Sequence, residues 1–76
     1  MPTIVYAYQG ARDQALEQEI LDEFDGARCV TATPNMQGMV EVTLELPAGQ
    51  ELDAVHRLRA WPRIVDAARG SFGEGA

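Results

Sequence analysis

Residues Met39 to Leu46 alternate without a fault. Val40, Val42, Leu44 and Leu46 take one parity, and Met39, Glu41, Thr43 and Glu45 the other. Strict period two specifies a strand with one buried face, and a one-residue slip would turn every apolar side chain to water. Such a strand needs a second layer to cover it. The rest of the chain supplies candidates. Thr3–Tyr8 is β-branched and aromatic and reads as a strand, broken by Gln9-Gly10. From Ala11 to Phe24 the pattern is helical, with Leu16, Ile20 and Phe24 four residues apart. Gly10 is placed to cap that helix, which puts Asp13 at its third position, and Gly26 stands where a left-handed cap is wanted. Arg28–Thr33 is a short strand candidate, and Thr33–Gly38 carries turn chemistry. After Pro47-Ala48-Gly49, residues Gln50 to Trp61 form a second helical stretch. Its apolar positions Leu52, Val55, Leu58 and Trp61 fall at three-residue steps, and Pro62 stops it. Ile64 to about Phe72 reads as a last strand, weakened by Asp66, Arg69 and Gly70.

The element order is β-α-β-β-α-β. Each half is a strand-helix-strand unit, and a hairpin at Pro34–Gly38 joins them. Right-handed crossovers then give an α+β architecture, the ferredoxin-like plait: a four-stranded antiparallel sheet with both helices on one face. The expected domain is residues 1–72, followed by a glycine-rich flexible tail, 73–76. With 76 residues, 46 % hydrophobic and 24 % charged, the chain is one small globular domain rather than a disordered one. A domain of this size buries only about 60–65 % of its unfolded surface and gains from a partner. No run approaches the ~20 apolar residues of a membrane span, so no membrane partner is expected. A net charge of −6 without a single Lys disfavours nucleic acid. Cys29 stands alone, which excludes an internal disulfide and a cysteine metal cage. No metal and no cofactor are expected. The chain start lacks the shape of a signal peptide, so a soluble, cytoplasmic protein is expected.

The first strand is apolar on both sides, with Ile4, Tyr6 and Tyr8 on one and Val5 and Ala7 on the other. One row must face away from the helices. Tyrosines suit an exposed face, because their rings bury area while their hydroxyls stay wet. Tyr6 and Tyr8 are therefore the expected interface of a homodimer.

The second half carries a resemblance. Glu51-Leu52-Asp53-Ala54-Val55-His56-Arg57-Leu58-Arg59-Ala60-Trp61-Pro62-Arg63-Ile64-Val65-Asp66-Ala67 resembles the closing helix and strand of ACT-like domains. It is similar in particular to the ligand-binding domain of the leucine-responsive regulator family, which often reads L-R-x-x-P-x-V-x-x-A. The resemblance implies a dimeric, non-enzymatic regulatory domain that binds a small effector such as an amino acid, or a protein segment. It places the ligand by the loop after the first strand, at Gly10, Ala11 and Arg12, where helix N–H groups and a bidentate arginine meet a carboxylate. The Asp-x-x-Gly of many amino-acid-binding ACT domains is missing ahead of the first helix. The same phrase resembles the chaperones that mature periplasmic nitrate reductase, which implies docking of a signal peptide by strand addition.

A different class of function rests on Pro2. Met1-Pro2-Thr3-Ile4-Val5 and Gly10-Ala11-Arg12-Asp13-Gln14 look similar to 4-oxalocrotonate tautomerases. That resemblance implies an enzyme with Pro2 as general base and Arg12 beside it. Those subunits, however, lack the second helix and strand present here. Cys29 reads as a small buried hydrophobe and His56 as a surface histidine, and a Cys29–His56 dyad has no orienting third group. Helix one is acidic and the last third basic, which reads as two faces that neutralise each other. Glu41 and Glu45 on the third strand repel phosphate and argue against an RNA-binding sheet.

Overall fold

The alternation of residues 39–46 is realised at the heart of the sheet. The computed structural model describes residues 2–70. The elements are β1 (Thr3–Gln9), α1 (Gln14–Glu23), β2 (Arg28–Pro34), β3 (Met39–Glu45), α2 (Glu51–Arg59) and β4 (Ile64–Arg69). The strands form one antiparallel sheet in the order β2-β3-β1-β4, and the fold is the ferredoxin-like plait. β1 runs against β3 over its whole length, Thr3 opposite Glu45 and Gln9 opposite Met39. The expected domain end at residue 72 and the tail at 73–76 lie outside the described residues.

Both helices cover one face. There Ile4, Tyr6 and Tyr8 of β1 and Val40, Val42, Leu44 and Leu46 meet Leu16 and Ile20 of α1, Phe24 at its C-terminal cap, and Ala54, Val55 and Leu58 of α2. The tyrosine row is thus core and not an exposed interface: Tyr6 and Tyr8 are each 0 % exposed. Size decides between the two rows. β1 is a central strand under two helices, and only large side chains fill the space between sheet and helix at interior density. Val5 and Ala7 take the other face, but are themselves only 2 % and 3 % exposed. The expected homodimer contact through Tyr6 and Tyr8 therefore has no exposed ring to use.

Three local details differ from the sequence reading. Asp13, not Gly10, caps α1, and its Oδ1 accepts the Leu16 N–H at 3.0 Å. Gly10 instead makes the turn out of β1 at φ +101°, and its N–H reaches the Gly38 carbonyl. On α2 the buried stripe is Ala54, Val55 and Leu58, while Leu52 is 64 % exposed. At 3.6 residues per turn Leu52 lies about 120° around the helix from Leu58, so three-residue steps carry it out of the core.

The two edge strands each carry a bulge. Val30 is the extra residue on β2 and Val65 on β4, and both side chains are exposed. Bulges, with Pro34 closing β2, blunt an edge against pairing with another chain. The charge asymmetry is partly neutralised within the molecule. Arg57 on α2 pairs with Glu23 on α1 and stacks over the Phe24 ring, and Arg63 reaches Asp13 at 2.9 Å. No helix among the described residues is long and apolar enough to cross a membrane.

The loop after α1 turns at Gly26, with φ +78°, and a Cβ there would stand 2.9 Å from Pro47 Cγ. Gly49 has φ +91° but open space around it. Gly49→Ala should cost about 1–2 kcal/mol, the ordinary penalty for a left-handed residue. Gly26→Ala should cost more, because Pro47 must also move. Urea midpoints of the two variants check this, and equal losses would show that the Pro47 contact carries no weight.

Candidate functional site

The end of β1, the loop after it and the first turn of α1 are held together by one phenol. Tyr8 Oη accepts the backbone N–H of Asp13 at 2.8 Å and donates to Glu17 Oε2 at 2.5 Å. Arg12 then closes over Glu17, with Nε on Oε2 and Nη2 on Oε1, both at 3.2 Å. Asp13 Oδ2 accepts from Arg63, so the loop after α2 joins the same network. Burial first, and the Glu17 hydrogen bond second, push the Tyr8 hydroxyl above the usual phenol range. Arg63 and the Leu16 N–H hold the Asp13 carboxyl below the ordinary range.

Beside this network lies a cleft of about 250 Å³ between α1 and the β2–β3 side of the sheet. Its floor is Tyr6, Val42 and Leu44, and α1 contributes Glu17, Gln18 and Leu21. Arg12 and Gln14 border one end, and Cys29 of β2 stands at the sheet edge. The Tyr6 hydroxyl is buried with no hydrogen-bond partner among the described residues. Burial, with Glu17, Cys29 and Tyr8 nearby, pushes its ionisation far above the usual phenol value. The phenol therefore stays protonated.

Of the expected ligand-binding trio, Arg12 lines the cleft, whereas Gly10 and Ala11 are exposed loop residues that do not. A Gly10→Val change acts on stability through the positive φ rather than on the cleft. Pro2 lies at the far end of β1, where its carbonyl accepts from Leu46. The seven residues of β1 separate Pro2 from the Arg12 loop, roughly 20 Å at the rise of a strand. One subunit does not bring that pair together. Cys29 is exposed rather than buried, because it sits on an outer strand whose helix-side face α1 leaves partly uncovered. Partial burial and Glu17 raise its pKa, so the thiol is neutral. His56 is exposed on α2, which packs over β4 and β1, away from β2. Among the described residues no group of three His, Cys, Asp or Glu is placed to hold a metal ion.

Glu17 escaped sequence reasoning, and Tyr6 and Tyr8 were expected at a dimer interface rather than at this site. Arg12 and Glu17 are five apart across a helix start, so they lack the spacing of a helical ion pair, and the Tyr8–Glu17 bond joins a strand to a helix. Against known protein families, curated proteins and solved structures, the chain finds no match.

Tyr6→Phe removes a buried hydroxyl with no partner, which costs about 1–3 kcal/mol, so the variant should melt several degrees higher at neutral pH. Wild-type stability should fall above about pH 10, where unfolded tyrosines ionise while the buried ones keep their protons. The fall should be smaller in Tyr6→Phe. Thermal melts from pH 7 to 11 check both points, and an unchanged alkaline limb would contradict the assignment.

Proposed function

We propose that this chain is a non-enzymatic regulatory binding domain of the ACT-like kind, and that its cleft between α1 and the β2–β3 side takes a small carboxylate effector such as an amino acid. The supporting observation is Arg12 at the mouth of an apolar-floored cleft. Arg12 uses Nε and Nη2 on Glu17, and Nη1 makes no hydrogen bond among the described residues. Its side chain is 48 % exposed, so a second anion can approach. Glu17 and Tyr8 hold the guanidinium in place, which lowers the ordering cost of binding. A cleft of this volume suits a metabolite-sized ligand rather than a dinucleotide. A homodimer belongs to the same proposal, with a contact other than the tyrosine row.

The two other readings have less support. A tautomerase needs Pro2 and Arg12 together, and β1 holds them apart within a subunit. A strand-adding chaperone needs a flat free edge, and both edges are bulged.

Titrating the ¹⁵N-labelled protein with the twenty amino acids and common 2-oxo acids should move the amide signals of Arg12, Gln14, Gln18 and Cys29 for at least one compound. Arg12→Gln should weaken that compound at least about tenfold, the worth of one charge-assisted hydrogen bond. Binding that Arg12→Gln leaves intact, or no shift from any compound, would contradict the proposal.

A further inference from the structure

The cleft has two unlike ends. At the mouth stands Arg12, charged and half exposed. At the floor stands Tyr6, 0 % exposed, with a hydroxyl of less than 1 Å² accessible area and no hydrogen-bond partner among the described residues. Buried polar groups are satisfied in native proteins with few exceptions, and an orphaned donor is rarer than an under-used acceptor. Tyr6 itself lines the cleft, together with Val42, Leu44 and Leu21, and its hydroxyl is the buried side-chain polar atom left unpaired among the described residues.

We infer that Tyr6 is the specificity-determining residue of the cleft, donating its hydroxyl proton to an uncharged oxygen at the far end of the effector. This rests on the effector-binding proposal and narrows it. The ligand is a small carboxylate whose anionic end meets Arg12. An apolar middle lies over Val42 and Leu44, and its other end carries a carbonyl or hydroxyl oxygen. A second carboxylate at that end would enter an apolar floor beside Glu17, and an ammonium has only donors, so it cannot accept the Tyr6 proton. A purely apolar end leaves the hydroxyl as unsatisfied as it is in the free protein. An acceptor oxygen alone removes that penalty, so the discrimination comes from the protein's own unpaired group.

The test uses the full chain and two acids of matched shape, 4-oxopentanoate and pentanoate, in NMR titrations with ring-¹³C-labelled tyrosine. 4-Oxopentanoate should bind roughly three- to tenfold tighter, the range of one neutral hydrogen bond. Its addition should shift the Tyr6 ring signals, and pentanoate should leave them in place. In Tyr6→Phe the preference should vanish while pentanoate affinity stays the same. Equal affinities, or a preference that survives Tyr6→Phe, would overturn the assignment of Tyr6 while leaving the effector reading standing. Should neither acid bind, the effector reading fails and this inference falls with it. The ring signals of the wild type decide the question even where the variant does not fold.

Discussion

The Tyr8 hydroxyl does for this small domain what a longer core would do for a larger one. It is the point where the sheet, the β1–α1 loop and the first turn of α1 share a hydrogen-bonded partner. The ring is buried among apolar side chains and the oxygen makes two bonds, so a polar atom enters the core without a desolvation debt. Two further features depend on that oxygen. Asp13 is held where its carboxylate caps α1 and meets Arg63, and Glu17 is held where Arg12 lies over it. Without the phenol, Glu17 would turn to solvent and the guanidinium would lose its fixed place at the cleft mouth.

Tyr6, two residues earlier on the same face, shows the opposite balance. Its ring stacks near that of Tyr8, with centroids 6.4 Å apart, and fills the same layer. Its oxygen finds no partner among the described residues. The two tyrosines thus serve packing equally and polarity unequally. A group that costs stability persists most readily where it contributes to binding, and the cleft above Tyr6 is the place where it would do so. The rest of the surface offers less. Elsewhere, Arg57 and Arg63 partly neutralise the acids at and near α1, and both edge strands of the sheet are bulged.

Much of the fold is legible in the sequence because its strongest signals are periodic. The alternation of β3 and the Leu16, Ile20, Phe24 stripe of α1 each specify an element and a buried face. Pro62 and the turn residues at 34–38 mark element ends. β1 was different: both of its rows are apolar, so alternation cannot say which row meets the helices, and the volume between the layers settles it in favour of the rings. Leu52 was misleading because a three-residue step approximates a helical face for one turn only. Of the site, Arg12 was legible as a cation beside a helix start. Its partners were not, since Tyr8 and Glu17 are brought to it by tertiary packing alone.

Amide hydrogen exchange on Tyr8→Phe, compared with wild type, tests the central role of the Tyr8 hydroxyl most directly. In the variant the amides of Asp13 to Gln18 should lose protection selectively, while those of the β1–β3 ladder keep theirs. Unchanged protection in the first turns of α1, or a uniform loss over the whole domain, would contradict that role.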